Sequence, residues 1–263
     1  MTNSWGGWRE RPGPVAVLTG AGISTASGIP DFRGSEGVWT RNPVAELSAD
    51  IVSYLRDPEL RARAWLARRD NPARGAEPNA GHAALVELER HRSVRIMTQN
   101  VDRLHVRAGS SPRKVLELHG TMFEVVCTDP KCGWTGSLDG VLARIEAGEP
   151  DPKCERSGGI LKPATVMFGQ QLDPDVIGRA AQFARASAVF LAVGTSLRVH
   201  PAAGLCEVAV AAGADLVIVN NEATPYDELA TELIREPISE ALPRLVGELS
   251  QVPSAAAEVS GDS

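Results

Sequence analysis

Lysine is scarce in this sequence. Positions 114, 131, 153 and 162 hold all of it, and the remainder of the 27 basic residues are arginines. No Walker-type lysine follows a glycine loop and no basic cluster stands ready for a triphosphate, which argues against phosphoryl transfer. The formal net charge of −6 supplies no basic face, so nucleic acid is an unlikely partner. No apolar run approaches the ~20 residues of a membrane span, and no basic-then-apolar leader opens the chain. The expectation is a cytoplasmic protein with no membrane partner. Cysteine is also sparse. Cys127, Cys132 and Cys154 cluster, while Cys206 stands alone in an apolar, helix-like stretch. In a cytoplasmic chain that clustering points to a metal more than to disulfides, and Cys206 reads as a small core residue.

What is present is the composition of an ordinary globular protein, 43% hydrophobic and 23% charged over 263 residues, enough for a full core. The chain is organised around Gly20-Ala21-Gly22-Ile23-Ser24, which follows the apolar strand Val15–Leu18 and runs on to Gly28-Ile29-Pro30-Asp31-Phe32-Arg33-Gly34. A strand that breaks into a glycine turn is where a doubly wound sheet binds a nucleotide. The dehydrogenase fingerprint is nevertheless incomplete. Thr25 occupies the third glycine position, and no second strand ending in an acidic residue follows. The segment from Pro30 to Gly34 reads as a ligand-covering loop.

Five apolar strands end in small or polar residues: Gly20-Ala21-Gly22, Gln99-Asn100-Val101-Asp102, His119-Gly120, Gly194-Thr195-Ser196 and Asn220-Asn221-Glu222. In a parallel sheet these ends share one edge, so residues two hundred positions apart converge on one crevice. Its amides, hydroxyls, carboxylates and single imidazole suit a dinucleotide, with His119 as general base. Asn79 is expected to cap a helix whose first turn holds His82. His82, His91, His105 and His200 are read as structural.

These segments, together with Leu161-Lys162-Pro163 and Phe168-Gly169, resemble the sirtuins, the NAD-dependent protein lysine deacylases, in their bacterial form. The resemblance runs from about residue 14 to 250. It implies an α/β fold, a Rossmann-like doubly wound parallel sheet with a small inserted zinc-binding module and a helical module. Residues 1–253 would form one catalytic domain, with a large lobe at about 12–40, 82–121 and 162–250. The small lobe would comprise a helical part at 41–81 and a zinc module at 122–161, and 254–263 would be a disordered tail.

The resemblance also implies roles. Gly20, Ala21, Gly22 and Ser24 would hold the NAD pyrophosphate, Asp31, Phe32 and Arg33 would cover the nicotinamide end, and Trp39 would join the cofactor contacts. Gln99, Asn100, Val101 and Asp102 would position the nicotinamide ribose and carboxamide. Gly194, Thr195, Ser196, Asn220, Asn221, Glu222 and Ile238 would contact the adenosine half. Val166, Met167, Phe168 and Gly169 would pair with the substrate peptide, reading extended shape more than sequence. In the implied reaction the acyl oxygen of the substrate displaces nicotinamide. His119, with Asn100 and Asp102 as catalytic partners, then takes a proton from a ribose hydroxyl. The products are lysine, nicotinamide and O-acyl-ADP-ribose, so NAD is consumed. Acyl-lysine proteins would be the partners, acyl-CoA synthetases among them.

The sequence departs from the family at two places. Ser157 stands where a fourth zinc cysteine belongs, beside Cys127, Cys132 and Cys154. Completion by water or by a carboxylate such as Asp151, a weak site and a metal-free module all stay open, and zinc of reduced affinity is the expectation. Trp65-Leu66-Ala67-Arg68 lies where desuccinylases carry Tyr-x-x-Arg. Without the tyrosine, Arg68 reads as a solvated arginine and the function as deacetylase or general deacylase. A protein ADP-ribosyltransferase and an acidic-acyl deacylase remain the alternatives.

Overall fold

The computed structural model describes residues 7–31, 37 and 47–251. Its centre is a six-stranded, fully parallel sheet built from β1 (Val15–Thr19), β2 (Val94–Thr98), β3 (Val115–Glu117), β7 (Val189–Val193), β8 (Asp215–Val219) and β9 (Glu232–Ile234). The order is β3-β2-β1-β7-β8-β9. The chain crosses over beside β1, and the crevice at such a switch point opens at the carboxyl ends of the strands. A second, antiparallel sheet holds β4 (Gly120–Cys127) between β5 (Thr135–Ser137) and β6 (Leu161–Thr165).

The central strands are apolar throughout because both faces are covered. On one face Val15, Val17, Ile96, Leu191 and Val217 pack against Leu85 and Leu88 of α3 (Ala80–His91) and Leu242 and Leu245 of α8 (Ile238–Leu249). On the other, Leu18, Met97, Phe190 and Ile218 meet Ala180 and Ala184 of α6 (Pro174–Ala186) and Cys206 and Ala209 of α7 (Leu205–Ala211). Burial raises the Cys206 thiol to about 12, which keeps it an inert core residue. The smaller sheet has its own core. There Val125 and Leu161 pack with Leu138, Val141 and Leu142 of α5 (Leu138–Glu146) and with the fully buried Trp65 of α2 (Pro58–Arg69). The short α1 (Ile51–Arg56) precedes α2, and α4 (Leu104–Arg107) follows β2. Asp57 caps α2 by accepting from the amides of Glu59 and Leu60, with Pro58 in the first turn.

The glycine turn after β1 is a 3-10 helix, Ala21–Ser27, and its glycines serve a contact within the protein. The amides of Gly20 and Gly22 donate to the carbonyls of Val193 and Gly194 at 3.0 and 2.8 Å. A Cβ on Gly20 would lie 2.6 Å from the Gly194 carbonyl oxygen, one on Gly22 2.8 Å from the Gly194 Cα, and one on Gly194 2.4 Å from the Ile23 nitrogen. Gly194 also has φ 62, the left-handed region. Gly194→Ala is therefore expected to destabilise the fold by about 2 kcal/mol or more, read as a lowered urea midpoint at unchanged m-value.

Candidate active site

A cleft of about 510 Å³ opens at the carboxyl edge of the large sheet, within the range of small-molecule sites. From β1, β7 and β8 it takes Gly20, Ala21, Gly22, Gly194, Thr195, Ser196, Asn220, Asn221 and Glu222. From β2 and β3 it takes Gln99, Asn100, Val101 and His119. Asp31 and the segment Val166, Met167, Phe168 and Gly169 close it. Ser24 and Asp102 do not line it, and Ile238 packs instead against Gly81 at the start of α3. Phe32, Arg33 and Trp39 lie outside the described residues.

His119 is half-buried, and one of its nitrogens is assigned by necessity. Nδ1 lies 3.0 Å from the Gln99 carbonyl, which can only accept, so Nδ1 carries the proton and Nε2 holds the basic lone pair. Burial lowers the His119 pKa below its usual 6.5 and the Gln99 carbonyl opposes this in part, so the ring is neutral at physiological pH.

Asn100 is oriented with the same rigour. Its Nδ2 donates to the Gly20 carbonyl at 3.0 Å and to Ser24 Oγ at 3.1 Å, which leaves Oδ1 as its acceptor. Ser24 Oγ in turn donates to Asp102 Oδ2 at 2.7 Å, and Asp102 Oδ1 accepts the amide of Leu104 at 3.0 Å. Ser24 and Asp102, 1% and 5% exposed, thus stand behind Asn100. Gln99 spans the cleft floor, its Nε2 donating to Thr195 Oγ1 at 2.9 Å.

Several contributors escape a strand-end reading. Arg235 lies after β9, and its Nη1 donates to the carbonyls of Asn220 and Glu222 at 2.7 Å each, while Nη2 pairs with Asp227. It thereby shapes the loop after β8, although no motif marks it. Lys162, 6% exposed, donates to the carbonyls of Pro163 and Thr165 at 2.9 and 2.7 Å, just before the segment from Val166 to Gly169. Burial, with Arg68 nearby, lowers its pKa to about 8. Gln170 accepts the Met167 amide at 3.1 Å, and the positive φ of Gly169 is the sequence signal for that turn. Thr165, Leu172, Val199 and His200 also line the cleft. Arg68 is half-buried, not solvated. Its guanidinium lies 5.3 Å from the Trp65 ring and 5.6 Å from the Tyr54 ring, and no carboxylate among the described residues pairs with it.

The cysteine cluster lies at one end of the smaller sheet, with Cys127 closing β4 and Cys132 and Cys154 in the segments beside it. The sulfurs of Cys127, Cys132 and Cys154 all fall within 4.8 Å of one another, and those of Cys132 and Cys154 are 3.6 Å apart, close to the ~3.8 Å edge of a tetrahedron with 2.3 Å zinc–sulfur bonds. A Cβ on Gly159 would lie 2.7 Å from Cys127 Sγ, so the backbone is cut away to receive that thiolate. The three cysteines fit a structural zinc. Ser157 Oγ stands 3.3 Å from Cys127 Sγ, at the open corner. Asp151 is taken by other partners, accepting from Arg61 Nη2 at 2.8 Å and Lys153 Nζ at 2.6 Å. A neutral hydroxyl is a weaker ligand than a thiolate. Ser157→Cys is therefore expected to tighten zinc at least about tenfold in a chelator competition and to raise the melting temperature of the metal-loaded protein.

The chain matches the model of the Sir2 family over residues 20–201. It is 60% identical over 233 residues to NAD-dependent protein deacetylase 2 of Streptomyces coelicolor, covering 88% of this chain and 96% of that one. To the NAD-dependent protein deacylase of Mycolicibacterium paratuberculosis it is 42% identical over 236 residues, with coverage of 89% and 97%. A solved structure of Sir2 with a p53 peptide and NAD+ superposes with a TM-score of 0.80 at 35% identity, covering 92% of this chain and 95% of that one. With the strand ends meeting in one cleft, the neutral histidine at its wall and the cysteine cluster beside the smaller sheet, the chain belongs to the Sir2 family.

Proposed function

We propose that this protein removes acyl groups from lysine side chains of other proteins at the expense of NAD, with His119 as the general base. The observation that carries the proposal is the 3.0 Å bond from His119 Nδ1–H to the Gln99 carbonyl, which keeps a neutral Nε2 base at the wall of a dinucleotide-sized cleft. When bound, NAD would supply the ribose carbon that the acyl oxygen attacks as nicotinamide leaves, and the ribose hydroxyl that finally carries the acyl group. The chain's own residues bind, orient and move the proton. The glycine turn receives the pyrophosphate, Gly20 and Gly22 lining the cleft with no side chain in its way. Asn100 offers Oδ1 to the nicotinamide ribose, with Ser24 and Asp102 holding it in place. Gly194, Thr195, Ser196 and Asn220 to Glu222 take the adenosine half. His119 Nε2 accepts the ribose hydroxyl proton. Val166 to Gly169 receive the peptide, and Lys162 fixes the strand end that leads into them.

In the proposed two-lobe organisation the cleft lies where the large sheet meets the smaller one. Acyl-CoA synthetases are the proposed protein substrates, on the resemblance to bacterial members alone. No described helix is long and apolar enough to cross a membrane, and the cytoplasm is the proposed location. The acetyl group is the first acyl class to test. Arg68 gives a specific reason to test an acidic acyl group second, because a half-buried guanidinium that pairs with no carboxylate among the described residues suits a carboxylate ligand.

The test is mass spectrometry of an acetyl-lysine peptide incubated with protein and NAD. Loss of acetyl with matching O-acetyl-ADP-ribose supports the reading. Label from NAD that persists on protein would favour ADP-ribosyl transfer instead. His119→Ala is expected to slow product formation by about 10²- to 10⁴-fold. Because the His119 pKa is lowered, the base stays competent as pH falls through 6.5, so the acid limb of kcat/KM for the free enzyme should have its midpoint below 6.5.

A further inference from the structure

Beneath the cleft lies a second polar layer that the proposed chemistry does not use. Thr19 and Thr98 end β1 and β2 and are paired in register. Thr19 Oγ1 donates to Thr98 Oγ1 at 2.8 Å, and Thr98 Oγ1 also accepts the backbone amide of Asn100 at 3.1 Å. Behind Thr19 stands His105 of α4, 2% exposed, with Nε2 2.9 Å from Thr19 Oγ1. The hydroxyl proton of Thr19 is directed to Thr98, so His105 must donate through Nε2–H, and its Nδ1 is a bare acceptor. That Nδ1 has no hydrogen-bond partner.

The neighbouring ring has the opposite need. His82 Nδ1 accepts the Asn79 amide at 3.3 Å in the capping box of α3, so the proton sits on Nε2, which is also buried without a partner. The two rings lie 5.0 Å apart at their centroids. The ring with an orphan donor thus lies beside the ring with an orphan acceptor, an arrangement that favours the Nε2–H tautomer on both. Burial depresses both, His82 to about 4 and His105 to about 3, so both rings are neutral.

We propose that His105 is a positioning residue of the reaction, donating through Thr19 and Thr98 to fix the backbone of Asn100, with His82 holding it in the Nε2–H tautomer. The proposal rests on the function given above only in placing Asn100 at the nicotinamide ribose. Its structural reasoning is independent of that. His105 touches neither peptide nor NAD, since it does not line the cleft. Its effect falls on the step that releases nicotinamide, which precedes the step that needs His119.

The experiment compares His105→Leu, His105→Gln and Thr19→Val in the full-length protein. Leucine removes the donor, glutamine restores an Nε2–H at similar reach, and valine removes the Thr19 hydroxyl at nearly constant shape. The expected result is a fall of about 10- to 100-fold in kcat and in exchange of labelled nicotinamide into NAD for His105→Leu and Thr19→Val. KM for the peptide should stay constant, and His105→Gln should recover most of the rate. Amide hydrogen exchange at Asn100 reads the same relay without any activity. Protection should drop in His105→Leu and Thr19→Val and persist in His105→Gln. Thr19→Val keeps the test available if His105→Leu fails to fold. Wild-type exchange rates and wild-type Asn100 protection in His105→Leu or Thr19→Val would overturn the proposal, as would a glutamine variant as impaired as leucine. A wild-type protein that leaves every acyl peptide intact would overturn the proposed function instead, while the Asn100 amide would still decide the relay.

Discussion

Three glycines without room for a methyl group set the geometry on which the rest depends. Gly20 and Gly22 lie backbone to backbone against Gly194, so the turns after β1 and β7 close on each other at distances that no side chain would tolerate. This contact fixes the floor of the cleft. Gly20 can then present its carbonyl to Asn100, and Thr195 lies within reach of Gln99 across the gap. A glycine loop is usually credited with letting a phosphate approach. Here the same lack of side chains is already required by the protein's own packing.

Around that floor, chemical identity is imposed by backbone groups that cannot change role. The Gln99 carbonyl dictates the His119 tautomer, the Gly20 carbonyl dictates the orientation of the Asn100 amide, and the Asn79 amide dictates that of His82. Each rule is local and made by backbone. Burial then keeps the imidazoles of His119, His82 and His105 uncharged. A neutral imidazole at the cleft is thus a consequence of where the strands end, and among the described residues no carboxylate binds the ring of His119.

The five main strands of the sheet and the convergence of their ends were legible because long apolar runs in a fully covered sheet leave little ambiguity. β3 and β9 each have only three residues and lie on edges, too short for any periodicity to speak; β3 was marked by the His119-Gly120 just beyond it, and β9 had no such marker. β4 shifts register between Gly120 and Val125, which blurs its alternation. At the site, the motif containing Asp102 was visible, yet its position behind Ser24 was not, because depth is set by side-chain hydrogen bonds that spacing does not encode. Arg235 was invisible for a similar reason, since its partners are carbonyls fifteen and thirteen residues away. In the sequence Trp65 and Arg68 are an incomplete Tyr-x-x-Arg motif, with Arg68 expected in solvent. In the fold Trp65 belongs to the core of the smaller sheet, and Arg68 lies against it.

One strand links two regions that have been described apart. β4 begins at Gly120, the residue after His119, and ends at Cys127, a thiolate of the metal cluster. Eight residues of extended chain amount to about 26 Å. A metal held by the cysteines would therefore be a remote fastening for His119: it would grip the far end of the strand whose near end follows the histidine, so that the cluster and the cleft are joined by one run of chain.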